Sequence, residues 1–117
     1  MMRVVDRGAI IDPTREYRYR LWRIWDGKLP KVLWIMLNPS TADAEFDDPT
    51  INRVIGFSRL WGYGGVEVVN LFALRATEPK AILHHPAPIG PENDARILEA
   101  AVACTDVMLA WGGHGVH

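Results

Sequence analysis

Cysteine is almost missing from this chain. Cys104 is the single one, so no disulfide can form within it. That suits a reducing compartment and points to a cytoplasmic protein. Long apolar runs are missing too. The longest, Val32–Leu37, is far short of the roughly 20 residues that cross a bilayer, so no membrane partner is expected. The first residues carry Arg3, Asp6 and Arg7 and no apolar stretch of the kind a signal peptide needs. Charge of one sign is not in excess either. A net charge of −1 argues against non-specific, charge-driven binding to nucleic acid. Two common signatures are absent as well. Gly62–Gly65 reads GYGG but precedes a strand pattern rather than a helix, so it is a turn and not a dinucleotide fingerprint. Ser40 does not sit in a G-x-S-x-G elbow.

The 117 residues are about half apolar, enough for a single domain over 1–117 with a real core. Charge is unevenly spread. Residues 1–31 hold eight Lys/Arg against four Asp/Glu, and the remainder five against ten. Such a basic segment reads either as a phosphate-facing edge or as an ordinary solvated strand face.

Gly8–Ile11 is a short apolar piece, and Asp12-Pro13-Thr14 a turn. Tyr17–Trp25, YRYRLWRIW, alternates with strand period: Tyr17, Tyr19, Leu21 and Trp25 on one side, Arg18, Arg20, Trp22 and Ile24 on the other. The two pieces predict a β-hairpin. Its arginines, Arg18, Arg20 and Arg23, either grip phosphates and bases beside the aromatics or protect a hairpin edge from aggregation.

Val32–Leu37 is continuously apolar, the pattern of a parallel strand buried on both faces, and Asn38-Pro39 ends it. Asp47-Asp48-Pro49 announces a helix, with Asp48 as N-cap and Pro49 in the first turn. Ile51, Val54, Ile55 and Phe57 carry it to about Trp61, and Gly62 stops it. Val66–Phe72 is a second buried strand, with Asn70 as its polar intruder. Thr77-Glu78-Pro79 starts a short helix to about Leu83, and His84–Pro91 is loop. Glu92–Ala103 is a helix with Ile97, Leu98, Ala101 and Val102 at helical spacing. Val107–Trp111 is a third strand, stopped by Gly112-Gly113-His114-Gly115. Alternating strands and helices predict an α/β fold: three layers, with a central, mainly parallel sheet and an N-terminal β-hairpin. Three parallel strands make a short sheet, so the domain is expected to lack a C-terminal helix and strand. A partner chain covering the exposed face, as in a homo-oligomer, is the alternative.

Parallel strands end along one edge of their sheet, where open α/β sheets place their sites. Asn38, Pro39, Ser40, Thr41, Asn70, Arg75 and Gly112–His114 are therefore expected to line one crevice. Asn38 has both a donor and an acceptor. It either orients a water or ligand carbonyl, or closes an Asx-turn on its own backbone. Asn70 is a buried amide in an apolar strand. It clamps a loop or reads a polar ligand edge, because leaving it unpaired costs about 1–3 kcal/mol. Asp43, Glu45, Asp47 and Asp48 invite Mg²⁺, but Asp48 is better used as the cap, and no octahedral ligand set is evident. His114 and His117 read as an accidental pair. No metal and no cofactor are expected.

These segments resemble a known family. LNPSTADAEFDDPTI (37–51), WGYGGVEVVNLFALRAT (61–77), PIGPEND (88–94) and the tryptophan-glycine end of the third strand are similar to an uncharacterised prokaryotic domain-of-unknown-function family (DUF sixteen-forty-three). That family continues past this point through another helix and strand. At greater distance the arrangement resembles the uracil-DNA glycosylase superfamily. The resemblance implies a DNA-glycosylase-like N-glycosidase acting on nucleic acid or a nucleotide. Asn38-Pro39 would then be the water-positioning motif, with Asn38 catalytic, and Asn70 the base-reading residue. Leu109–Gly112 would match the third strand, and Phe46 would be the stacking aromatic by position. The His-Pro-Ser loop of that superfamily has no counterpart in the chain. A non-catalytic nucleotide-binding or protein-interaction module is the alternative.

Overall fold

The computed structural model describes residues 4–76, 78 and 80–110. The chain runs through strands β1 (Asp6–Ile11), β2 (Arg18–Ile24) and β3 (Lys31–Met36), then helix α1 (Pro49–Leu60) and strand β4 (Gly65–Asn70). Helices α2 (Lys80–His84) and α3 (Asn93–Ala103) follow, and then strand β5 (Asp106–Leu109). The fold is mixed α/β. Each expected element forms, with ends displaced by a residue or two. Thr77 and Pro79 at the start of the short helix, Trp111 at the end of the last strand, and Gly112–Gly115 lie outside the described residues.

The sheet itself departs from expectation. It has five strands in the order β1-β2-β4-β3-β5, and it is mixed rather than mainly parallel. β3 pairs in parallel with β4 and β5, whereas β2 runs antiparallel to both β1 and β4. The hairpin is thus not an appendage but two strands of the same sheet. Gly64 explains the join: the backbone N–H groups of Trp25 and Asp26 both donate to its carbonyl at 2.9 Å. A Cβ at Gly64 would collide with the carbonyl of Asp26, so only glycine lets the two segments approach this closely. β2 is consequently an interior strand, and its arginines do not guard an edge.

A β-bulge reverses part of β2. Ile10 pairs with Arg20 but Ile11 pairs with Arg18, leaving Tyr19 as the extra residue. A bulge of this kind breaks the alternation and re-aims a side chain. Tyr17 and Tyr19 pack with Ala73 and Leu74 at one end of the sheet. Arg18 turns to the face that also carries Leu21, Arg23 and Trp25, not to the side of Arg20 and Trp22 as simple alternation predicts.

Helices cover both faces. α1 buries Ile51, Val54 and Ile55 against Leu21, Val32, Trp34, Val66 and Val68. Its inward stripe is completed by Ser58, whose hydroxyl accepts from Nε1 of Trp34 at 2.9 Å. Phe57, expected inside, is half exposed and stacks on Trp61. The spacing 51, 54, 55, 58 follows the helical period, and 57 does not. On the other face α3 packs Ala100 and Ile97 against Leu33 and Val69. Here too the expected stripe is corrected. Leu98 and Val102 point outward at 68% and 88% exposure, and Asn93 and Ala100 point in.

β4 carries a second buried polar residue besides Asn70. Glu67 is 1% exposed, and its carboxylate accepts from Nε and Nη2 of Arg20 at 2.7–2.9 Å and from Nζ of Lys31 at 3.1 Å. The paired fork satisfies a charge that would otherwise be too costly to bury. No helix among the described residues is long and apolar enough to cross a membrane.

Candidate functional site

The carboxyl ends of β3 and β4 stay in step beyond the strands. Leu71 and Phe72 donate their backbone N–H groups to the carbonyls of Met36 and Leu37 at 2.9 and 3.0 Å, and Ala76 donates to that of Pro39 at 2.9 Å. Asn38 adds its side chain to this seam. Nδ2 donates to the carbonyls of Ala76 at 2.8 Å and Pro39 at 3.1 Å. Both amide hydrogens therefore fix the ring of loops, which leaves Oδ1 as the polar atom of Asn38 available to a ligand or water.

The polar loop between β3 and α1 is held from behind by two arginines of β2. Arg23, with 0% exposure, donates Nε to Oδ1 of Asp47 at 2.7 Å and Nη2 to the carbonyl of Asp43 at 2.6 Å. Arg18, with 3% exposure, donates Nη1 to the carbonyl of Ala42 at 3.0 Å. The aspartates are engaged as well. Asp48 caps α1 by accepting from Ile51 N at 2.9 Å, and its other oxygen takes the N–H of Ala42 at 3.1 Å. Asp43 accepts from the N–H groups of Glu45 and Phe46 at 2.9 Å. The bond from Phe46, then that from Glu45, holds its carboxyl below the usual aspartate range. Asp43, Asp47 and Asp48 thus build the loop, and among the described residues no three His, Cys, Asp or Glu side chains are grouped as metal ligands.

Two adjoining cavities open at this edge. An inner chamber of about 40 Å³ is lined by Arg18, Asn38, Ser40, Asp48, Thr50 and Asn70, among others. An outer cleft of about 450 Å³ is lined by Arg15, Ser40, Thr41, Arg75 and Glu78. Ser40 belongs to both. The structure brings Asn38, Pro39, Ser40 and Asn70 to the chamber, and Ser40, Thr41 and Arg75 to the cleft. Nη2 of Arg75 donates to the carbonyl of Thr41 at 3.2 Å. Phe46 lines neither cavity and is 72% exposed. Gly112–His114, expected in the same crevice, and the His114–His117 pair lie outside the described residues.

Asn70 is the most unusual residue of the chamber. It is 1% exposed, and neither Nδ2 nor Oδ1 has a protein partner. Its backbone carbonyl is held at 2.8 Å by Nδ2 of Asn93, the buried first residue of α3, so the end of β4 is anchored while its side chain is left unpaired. Arg18 is the second. Its Nε is buried without a partner, and burial pushes the guanidinium down to about 10, with Asp48 as the largest opposing influence.

Sequence reasoning missed Arg18 as a chamber residue, Arg23 and Asn93 as anchors, and Arg15 at the cleft mouth. One signal was available: three arginines in seven residues of a strand exceed what an interior strand can bury without dedicated partners. Arg15 carries a different mark. Its φ of 66° is the only left-handed value of a non-glycine residue among those described.

Comparison with known proteins is narrow. No curated protein and no solved structure matches the chain. Residues 18–117 match the family described as "Protein of unknown function (DUF1643)", and the chain belongs to that family.

Proposed function

We propose that the protein is directed to a nucleobase, free or within a nucleotide or nucleic acid, and receives it at the carboxyl ends of β3 and β4. In this reading Asn70 pairs with an amide-like base edge, while Asn38, its Nδ2 anchored, turns Oδ1 to a water near the glycosidic carbon. The roles are those of a glycosylase acting on an extruded base. Pro39, Ser40 and Thr41 form the wall, and Arg75 lies at the mouth. The single observation that carries the reading is Asn70: a buried amide with both ends unpaired, in a chamber that Asn38 also lines. A buried polar group without a partner costs about 1–3 kcal/mol, and a ligand that pairs with both ends offsets that cost. The likeness to the uracil-DNA glycosylase superfamily, with its three-layer fold, belongs to the same reading. Helices on both faces of the sheet are consistent with it, and a cytoplasmic setting suits the single thiol.

The protein is incubated with DNA duplexes carrying uracil, hypoxanthine or a mismatched base. The expected result is an abasic product that Asn38→Ala abolishes. If no duplex gives abasic product, the catalytic assignment fails.

A second reading, a non-catalytic nucleotide-binding module, is favoured by one feature. The chamber is about 40 Å³ and the outer cleft about 450 Å³, so the ring would sit in the outer cleft with only its edge inside. Melting shifts with nucleosides but no turnover would select this reading.

A further inference from the structure

Arg18 and Asn70 both line the inner chamber, and three of their polar atoms are buried without protein partners: Nε of Arg18, and Nδ2 and Oδ1 of Asn70. Two of the three are donors, and one belongs to a cation. Among the described residues no carboxylate lies within 4.0 Å of the Arg18 guanidinium. The pairs at that distance join Arg7, Arg15, Arg20, Arg23, Lys31, His85 and Arg96 to acids, not Arg18. Arg18 is 97% buried by difference from its 3% exposure. Buried cations are ordinarily paired, because removing the charge from water costs several kcal/mol. At pH 7 this group still carries its charge, since burial brings it only to about 10.

Asp48 lines the same chamber and would repel an anion. Its two oxygens already accept from the N–H groups of Ile51 and Ala42, however, and its charge lies at the positive end of α1. Asp43 acts on Arg18 more weakly than Arg75 and Arg23, whose positive charges oppose that of Arg18. Beyond Ser40 the outer cleft adds Arg15 and Arg75 against Glu78, with Asp43 ion-paired to Arg15 at 3.6 Å.

We infer that the inner chamber is an oxyanion subsite, where Nε of Arg18 and Nδ2 of Asn70 donate to a negatively charged oxygen on a planar group of the ligand. Size limits the group. At about 40 Å³ against about 450 Å³ for the outer cleft, the chamber suits a small planar group. A carboxylate, or the O–C–N edge of a deprotonated lactam, has three heavy atoms. A tetrahedral phosphate has five and is better matched to the wider outer cleft. Oδ1 of Asn70 stays available to accept from a neighbouring N–H, which a lactam-type ligand has when its second nitrogen is protonated. The inference rests on the proposed function only for the entry of the ligand through the outer cleft, and its test uses no base.

The test is sodium formate titrated into the whole protein at ionic strength held constant with sodium chloride. Side-chain proton–nitrogen NMR follows Arg18 Nε and Asn70 Nδ2, identified by their loss in Arg18→Lys and Asn70→Asp. Both signals are expected to move together and saturably, and the melting midpoint to rise by a few degrees near saturation. Inorganic phosphate is expected to leave both signals in place. Asn70→Asp puts a carboxylate beside Arg18, so it is expected to raise the midpoint and remove the formate response. If formate moves neither signal, or phosphate moves them as strongly as formate, the subsite is overturned, whether or not the variants fold. Abasic-site formation reads the base reaction independently. A formate response without base removal leaves the subsite standing and defeats the glycosylase reading, and the converse defeats the subsite alone.

Discussion

Nε of Arg23, in the interior of β2, meets Oδ1 of Asp47 at 2.7 Å, and the same guanidinium holds the carbonyls of Asp43 and Phe46. One fully buried side chain thus sets the path of the loop that walls the candidate site. Removing it leaves Oδ1 of Asp47 and the Asp43 carbonyl without this donor, while the Phe46 carbonyl keeps the Asp43 N–H at 3.0 Å. Arg23→Met is expected to cost about 3–5 kcal/mol, the range for breaking a buried charge pair. Asp47→Asn is expected to cost less, because Arg23 keeps its carbonyl partners and the 21% exposed carboxamide still accepts one bond. Urea denaturation of the two variants measures both. Equal losses below about 1 kcal/mol would mean that the loop holds its course without Arg23.

Acid sensitivity follows from the same loop. Asp43 is held below its ordinary value of 3.8 by the N–H groups of Phe46 and Glu45, with Arg15 and Arg75 adding to the effect. A carboxyl that binds its proton less readily when folded stabilises the fold fully above its unfolded value. That contribution fades as pH falls through the folded value. Stability is therefore expected to drop from about pH 4 downward. Asp43→Asn should flatten part of that drop while lowering stability at pH 7. Urea midpoints at a series of pH values between 6 and 2 provide the check, and parallel curves for the two proteins would refute it.

How much of this was legible in the sequence depends on whether the information is local. Asp48-Pro49 could be read at once, because a cap and a first-turn proline act within four residues. The strand ends at Asn38 and Asn70 were legible for the same reason, and so was their shared edge, which parallel pairing of β3 and β4 delivers. Pairing partners are not local. Nothing in YRYRLWRIW says that β2 lies beside β4, and that neighbour makes the sheet mixed and its arginines interior. The bulge at Tyr19 was hidden because one extra residue leaves the composition untouched while moving Arg18 to the other face. In α3, two apolar stripes were available. The sheet took the one with Ala100, whose small side chain allows close approach, and left Leu98 and Val102 outside. Glu67 was overlooked because its partners, Arg20 and Lys31, come from two other strands.

Cys104 offers a chemical check on the packing of that α3 face. It sits beside Leu33, Val69 and Ala100, and burial pushes its thiol up to about 11, with Glu67 adding to the shift. Thiolate is the reactive form, and a rise of about two units reduces its fraction at pH 8 by nearly two orders of magnitude. Alkylation by iodoacetamide at pH 8 is expected to be at least tenfold slower in the native protein than in urea. Rates within twofold of each other would show that α3 does not shield the thiol.

Asn70 sets stability against function most directly. Met36 and Ile51, as well as the polar wall, line the chamber with it, and both polar ends of its amide lack protein partners. Leucine has the same branching and the same number of side-chain heavy atoms, its extra bulk can enter the adjoining chamber, and it has no polar atom to desolvate. Asn70→Leu is therefore expected to stabilise the ligand-free protein by about 1 kcal/mol, within the 1–3 kcal/mol that an unpaired buried group costs. The same substitution removes the donor and the acceptor that the ligand needs, so the formate response and any base-directed activity should disappear together. Calorimetric melting of both proteins, with and without formate, tests the two halves at once. A loss of more than about 1 kcal/mol would mean that the amide is already satisfied in the free protein. Asn70 would then be a structural clamp, and the chamber would lose its claim to be a site.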